Sequence, residues 1–153
     1  MKKLLTAGSV VVLLSIAAVA AAQPWQGWKG SGGWGMRGQY DGMYDPAKVE
    51  TLSGEVIAVE QVTPMRRMGM GIGLKLKVGN ETVIVHLGPQ WYIERQDIKI
   101  VAGDRVEVKG VKTQRMGQEF VIAAEVSKGG EVLKLRDEKG FPAWAGCRQG
   151  PNQ

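Results

Sequence analysis

The stretch VHLGPQWYIERQDIKIVAGDRVEVKG, residues 85–110, contains the change of pattern that decides the fold. It opens at the end of an apolar, β-branched run. Gly88-Pro89 stops that run, because proline has no backbone N–H and suits the first turn of a helix. After Gly103-Asp104, apolar and polar residues alternate as they do in a strand with one buried face. The stretch therefore predicts a strand, a short helical turn and a second strand.

Further strand patterns lie on both sides of this stretch. Alternating or β-branched runs at 52–62, 73–78 and 82–87 come before the helical turn, and runs at 103–111, 118–127 and 131–137 come after it. Turn residues separate them, such as the Gly-Asn pair that closes a tight hairpin. A helix between the third and fourth strands of a small barrel is the arrangement of the OB fold. The sequence predicts an all-β protein, a small five- to six-stranded OB-like barrel with a short helix between strands 3 and 4.

Four segments are predicted along the chain. Residues 1–22 have the two lysines, apolar run and small residues of a secretory signal peptide. Residues 23–48 are rich in glycine and tryptophan and have no apolar period, which predicts a flexible leader. The OB-like domain is predicted at 49–138 and a C-terminal tail at 139–153. Tryptophans at 25, 28 and 34 indicate either a contact surface or a leader folded over its own domain.

Charge and targeting limit the classes of function. The formal net charge is +5, and loss of Lys2 and Lys3 with the signal peptide lowers it by two. So weak and scattered a charge argues against nucleic acid as a partner. The apolar run is shorter than the roughly 20 residues that a bilayer span requires, so we expect an exported, periplasmic protein with no stable membrane span after cleavage.

Cysteine usage argues against disulfides and against common cofactors. Cys147 is the only cysteine, so no internal disulfide can form. No CxxC pair for zinc and no CxxCH for covalent haem occurs in the sequence. We expect no cofactor.

Four motifs carry a resemblance to a known family. The runs LSGEVIAVE, VHLGPQWY, GDRVEVKG and LRDEKGFPAW lie within residues 50–145. They resemble the bacterial exported OB-fold proteins and, more narrowly, the domain shared by magnetosome-associated proteins of the MamS/MamX type. The resemblance implies a small periplasmic OB domain behind a signal peptide. It does not extend to the CxxCH motif that some magnetosome relatives carry.

Candidate binding residues follow from the OB arrangement, in which ligands lie across strands 2 and 3 and the adjoining loops. Strand positions, a loop pair and the aromatic pair after Gly88-Pro89 give the set of candidates for a ligand or a partner. These are Arg66, Arg67, Lys75, Lys77, His86, Trp91 and Tyr92.

Two of these candidates also have a structural interpretation. His86 is expected at an exposed position near the end of the third strand, where a hydrogen bond would hold the turn into Gly88-Pro89. Trp91 is expected to close the open end of the barrel, whereas the alternative treats Trp91 and Tyr92 as a stacking platform for a ring-shaped ligand.

The loop TPMRRMGMGIG, residues 63–73, suggests a metal site as an alternative. Met65, Met68 and Met70 are soft thioether ligands of the kind that bind copper(I), and His86 would complete the set. Two arginines between the methionines oppose a cation. The competing interpretation is an adaptable contact loop, because methionine fits irregular apolar surfaces.

No catalytic constellation is present in the sequence. His86 has no serine, cysteine or second histidine at a spacing that suggests nucleophilic catalysis. We therefore expect a non-catalytic exported binding or scaffold module for a periplasmic protein partner or a small ligand. Copper or iron handling and single-strand nucleic-acid binding are the alternatives, the latter implied by the fold alone.

Overall fold

The computed structural model of the protein describes residues 32–36 and 38–148, and the predicted signal peptide at 1–22 lies outside them. Six strands form in the predicted order: β1 (Val49–Val62), β2 (Gly71–Val78), β3 (Glu81–Pro89), β4 (Arg105–Arg115), β5 (Gln118–Lys128) and β6 (Glu131–Lys134). A single helical turn, α1 (Gln90–Ile93), lies between β3 and β4. Among the residues described, 3₁₀ turns lie outside the strands at Asp41–Met43, Pro46–Lys48 and Ala143–Arg148. The predicted all-β class and the short helix between strands 3 and 4 are confirmed.

One sheet closes on itself to give the barrel. The strand order is β3-β2-β1-β4-β5-β6 with antiparallel neighbours. A short parallel pairing of β3 with β5 closes the ring, and β6 extends the sheet beyond β5. The 14-residue β1 pairs with β4 through its first half and with β2 through its second half. A bulge between Val56 and Ala58 bends β1 where it changes partners. The result is an OB-like barrel.

The interior of the barrel follows from the alternation in the sequence. In β4, Val106 and Val108 are buried while Arg105, Glu107 and Lys109 are exposed, as the pattern predicts. Aliphatic side chains from all six strands meet inside, among them Val56, Leu74, Leu76, Val85, Val108, Val126 and Leu133. Their removal from water is the main stabilising contribution to a domain of this size.

Strand β3 is buried on both faces. Val85 and Leu87 point to one face and His86 and Gly88 to the other, yet all four are buried. The second face is covered by what we call the aromatic layer, which is Trp34, Tyr40, Tyr44, His86, Phe120 and Trp144. Segments before β1 and after β6 therefore complete the fold on the outside of the barrel.

Two tryptophans anchor the aromatic layer. The indole Nε1 of Trp144 donates to the backbone carbonyl of Trp34 over 2.7 Å, and the indole of Trp34 donates to the carbonyl of Gly69 over 2.9 Å. The rings lie against Gly71 and Gly88, where a Cβ would overlap them. Glycine is needed at these two strand positions because the rings approach the backbone closely.

These contacts correspond to one of the two interpretations of the leader's tryptophans, a leader folded over its own domain. Trp34 and Tyr40, placed in the flexible leader at 23–48, are each only 1% exposed. Arg136 is buried, pairs with Asp41 over 2.6 Å and lies 4.9 Å from the centre of the Tyr44 ring. The described part of the leader thus packs on the barrel, and so does Trp144 from the predicted tail at 139–153. The leader lacks an apolar period because its burial depends on single aromatic rings.

Trp91 is not the buried plug that the sequence predicts. Its ring is half-buried on α1, at right angles to Tyr92 and beneath the guanidinium of Arg95. Its Nε1 is buried without a hydrogen-bond partner. The largest buried rings are instead those of Trp34 and Tyr40, with Trp144 close behind. The indole packs against the edge of the core without entering it.

Candidate functional site: the His86 pocket

A pocket of about 330 Å³ opens between the β1–β2 loop and the β4–β5 hairpin. We call it the His86 pocket, and its lining is Glu60, Val62, Thr63, Pro64, Ile84, His86, Arg115, Met116, Gln118 and Phe120. The volume lies at the lower end of the range of small-molecule sites. These two loops are the ones that flank the ligand face of OB domains.

The floor of the pocket is set by strand register. Glu60 of β1 is opposite Gly73 of β2, and Gly73 is opposite His86 of β3. The middle position of this row is glycine, which places no side chain between Glu60 and His86. Phe120 of β5 completes the floor, with its ring 4.3 Å from the imidazole and nearly parallel to it.

His86 is buried in the aromatic layer, with 6% of its surface exposed. Its Nδ1 is 3.1 Å from the hydroxyl of Tyr40. Burial lowers the pKa of the imidazole from 6.5 to about 4, so the ring is neutral at neutral pH. The sequence-based expectation of an exposed histidine bonded at the Gly88-Pro89 turn is corrected here, because Tyr40 covers the outer face of β3.

The contact with Tyr40 also sets the tautomer of His86. Burial raises the pKa of the Tyr40 hydroxyl, so that group keeps its proton. Among the described residues, Nδ1 of His86 is the acceptor that the hydroxyl reaches. A buried O–H without an acceptor is costly, so the hydroxyl donates to Nδ1 and the imidazole carries its hydrogen on Nε2. The pocket therefore contains a neutral N–H donor.

Arg115, at the end of β4, brings a positive charge to the pocket. Its Nη1 donates to the sulfur of Met65 over 3.2 Å. Within the described part of the chain, no carboxylate lies within ion-pair distance of this guanidinium. A thioether is a weak acceptor, and a guanidinium has five N–H donors. Arg115 therefore has hydrogen-bonding capacity left for an occupant.

The rim of the pocket is strained at Met116. This residue and Gly117 form the two-residue loop between β4 and β5, and both have positive φ, 51° and 78°. Two positive φ angles define a type I′ turn, in which asparagine or glycine is preferred at the first position. Met116 holds this conformation while 93% exposed. Strain of this kind is often found at functional sites.

The other predicted binding residues surround the pocket or lie elsewhere. Lys75 pairs with Glu60 over 3.1 Å, while Lys77 is exposed farther along β2. Arg66 and Arg67 are exposed in the β1–β2 loop. Trp91 and Tyr92 lie on α1 and do not line the pocket. Of the seven candidates, His86 alone contributes to its wall.

Sequence reasoning missed Arg115, Phe120 and Ile84. Ile84 is two positions before His86 in β3, so the alternation of the strand places both side chains on the same face. The sequence could therefore have indicated Ile84. Arg115 and Phe120 belong to the β4–β5 hairpin, which is the second loop of the OB ligand face. The predicted OB fold was the one signal that could have indicated this hairpin as part of the site.

The methionines of the suggested copper site have different environments. Met65 is buried and its sulfur accepts the hydrogen bond from Arg115, whereas Met70 is 49% exposed. Met68 packs against Gly33. A guanidinium on the Met65 sulfur opposes a cation there. The copper site at Met65, Met68, Met70 and His86 stays a prediction.

A second, smaller cavity lies under α1. Its volume is about 190 Å³, and mostly aliphatic side chains of the barrel and of residues 93–100 line it, such as Ile72, Leu87 and Ile98. Two charged residues, Glu94 and Lys99, are at its edge. It offers an apolar surface but few polar groups to orient a ligand.

The described residues contain neither a candidate membrane span nor a cluster of metal-binding side chains. In 32–36 and 38–148, no helix has the length and apolar character needed to cross a membrane. Over the same ranges, no three side chains of the histidine, cysteine and acidic types are grouped to hold a metal ion.

Comparison with known proteins gives a family. No curated protein and no solved structure matches the chain significantly. The family model of the MamS/MamX magnetosome proteins matches residues 48–133, from the last 3₁₀ residue before β1 into β6. The match covers more than half of the chain and includes the strand residues of the His86 pocket. The chain therefore belongs to the MamS/MamX magnetosome protein family.

Proposed function

We propose that the protein is an exported, non-catalytic OB-type binding module whose ligand is a small molecule held in the His86 pocket. The observation that carries this proposal is the pairing of a neutral imidazole donor with a guanidinium that has only a thioether partner, in one concave site. Half of the lining residues are polar or charged and half are apolar. Placed polar groups beside apolar side chains give a concave site its specificity for a small molecule.

The position of the pocket supports binding as the function. It lies between the β1–β2 loop and the β4–β5 hairpin, and OB domains use the corresponding loops to bind ligands. A concave site of this volume suits a small molecule better than the surface of a folded protein. Export is supported by the signal-like N-terminus at 1–22.

The proposal excludes catalysis because neither Glu60 nor His86 is suited to act as a general base. Glu60 is engaged by Lys75, and His86 has a low basicity because it is buried. A general base acts best when its pKa is near the working pH. The described groups of the pocket therefore suit recognition of a ligand better than proton transfer.

A fragment screen by NMR tests this function. The Hε1 signal of His86 needs no assignment because His86 is the chain's only histidine, and the methyl group of Met116 reports from the opposite rim. We expect some small molecules to shift both signals while leaving the indole of Trp91 unchanged. A library in which no compound shifts the two signals together would overturn the proposal. Turnover of any compound that is lost in His86→Ala would overturn its non-catalytic part.

A further inference from the structure

We infer that the ligand of the His86 pocket is an organic carboxylate with a compact apolar or aromatic body, bound by Arg115 and by the Nε2–H of His86. This inference rests on the proposed binding function and names its ligand class. It is carried by three features of the pocket: the charge of Arg115, the fixed donor of His86 and the apolar side chains in the rest of the lining.

The charge of the pocket favours an anion. Its charged lining residues are Glu60 and Arg115. Glu60 lies 3.1 Å from Lys75 and is compensated by it, whereas Arg115 contacts the sulfur of Met65 and no carboxylate in the described chain. A planar guanidinium matches the two oxygens of a carboxylate, and such bonds are stronger than those between neutral groups.

His86 adds a donor with a fixed direction. Tyr40 occupies Nδ1, so Nε2 is the ring nitrogen that remains for an occupant of the pocket that the imidazole lines. That nitrogen carries the hydrogen, because the Tyr40 hydroxyl donates to Nδ1. Tyr40 acts here as a positioning residue, since it fixes the tautomer without lining the pocket.

The remaining lining defines the body of the ligand. Phe120 stacks on the imidazole at 4.3 Å, and Val62, Pro64 and Ile84 add apolar surface. An aromatic or compact aliphatic group fits beside rings and branched side chains, whereas inorganic phosphate would leave this surface in water. The expected ligand therefore combines a carboxylate with a small apolar body.

Benzoate and benzamide are the matched probes, since they have the same ring and differ in charge. With the 153-residue chain, calorimetry and the His86 imidazole signal should show benzoate binding at least about tenfold tighter than benzamide or inorganic phosphate. Benzoate should also shift the methyl signal of Met65, because it competes for the guanidinium of Arg115.

Variants locate the effect. Arg115→Gln should weaken the binding of benzoate by about tenfold and leave the binding of benzamide unchanged. The affinity of Arg115→Lys for benzoate should lie between those of the parent and Arg115→Gln. Arg105→Gln is the control, because Arg105 is an exposed arginine on the same strand that does not line the pocket. Tyr40→Phe should weaken benzoate and change the ¹⁵N signals of the imidazole to those of a mixture of tautomers.

Each contrary outcome has a defined meaning. Equal binding of benzoate and benzamide, or benzoate binding that is insensitive to Arg115→Gln, overturns the carboxylate while the binding module stands. Phosphate binding tighter than benzoate overturns the organic body. If fragments of other classes shift His86 and Met116 but carboxylates do not, the ligand class is wrong. If no compound shifts them, the proposed function itself fails.

Discussion

The His86 pocket and the segment from α1 to β4, residues 90–104, differ in how well their residues suit their local environments. In the α1 segment several polar groups bond to residues three or four positions away: Asp104 accepts from the amide of Val101, and Gln96 donates to the carbonyl of Tyr92. Asp104 also pairs with Lys128 of β5 over 2.8 Å. Apart from the buried Nε1 of Trp91, the segment follows local rules of turn and helix chemistry.

The pocket departs from those rules at three residues. Arg115 gives its hydrogen bond to a thioether, His86 is buried in its neutral form, and Met116 occupies a backbone region that disfavours its side chain. Folding alone favours none of these choices. Local departures of this kind are expected where a site is under functional constraint, and they support the proposal that the pocket binds a ligand while α1 serves the fold.

The largest expected effect is a difference in stability between variants of two tryptophans. Trp34→Ala should lower the free energy of unfolding by about 3–5 kcal/mol, because it removes a fully buried ring and the hydrogen bond of its indole to the carbonyl of Gly69. Trp91→Ala, on half-buried α1, should cost about 1–2 kcal/mol. Urea denaturation of both variants measures the difference. Equal losses would restore Trp91 as the closing residue of the barrel.

These two residues also show what sequence can predict. The strands and α1 follow from local alternation and from Gly88-Pro89, and both were predicted. The aromatic layer was not, because its contacts join distant positions, such as Trp144 and Trp34, which are 110 residues apart. A glycine-rich segment without an apolar period has no local signal for burial. Tryptophan in a predicted linker was the one compositional indication.

The residues of the site also include one that the sequence indicated and one that it missed. His86 was a candidate because it is the only histidine, but its burial depends on Tyr40, a partner 46 residues away. Arg115 was missed because an arginine at a hairpin end is typical of a solvated surface. Its single thioether partner is visible only after the β1–β2 loop has folded beside it.

The second test is the dependence of stability on pH. The pKa of His86 is about 4 in the folded protein and near 6.5 when unfolded, so between these pH values the unfolded chain binds a proton that the folded protein does not. Stability therefore falls as the pH drops through this window, by about 3 kcal/mol in all. The groups facing His86 are Tyr40, Phe120, and Glu60 and Arg115 across the pocket.

His86→Gln is the control for this test, because it removes the only imidazole while keeping an amide in its place. Denaturation in urea at pH 7, 6 and 5 should give a smaller slope for His86→Gln than for the parent. The carboxylates are the same in both proteins, so their contribution to the pH dependence of stability cancels in the difference between the two slopes. Parallel slopes would show that His86 is solvated and that the pocket lacks a neutral imidazole.

A smaller loss is expected for Tyr40→Phe. This change leaves Nδ1 of His86 buried without its donor and should cost about 1–2 kcal/mol. Tyr44→Phe is the matched control, because the contact of Tyr44 with Arg136 is made by the ring and survives the loss of the hydroxyl. Thermal melts should separate the two variants. A Tyr40→Phe protein as stable as Tyr44→Phe would mean that the hydroxyl does not hold the imidazole.

The smallest expected effect has the opposite sign. Met116→Asn should raise the free energy of unfolding by about 0.5–1 kcal/mol, because asparagine before Gly117 suits the type I′ turn better than methionine does. Met70→Asn is the control, since Met70 is exposed and has no positive φ. If Met116 serves the ligand, the more stable Met116→Asn should also bind benzoate more weakly, since one wall of the pocket has lost its thioether. Chemical denaturation and calorimetry on the same samples measure both quantities. A variant that gains stability and keeps its affinity would show that the strained turn does not serve binding, and the contrast with α1 would then rest on Arg115 and His86 alone.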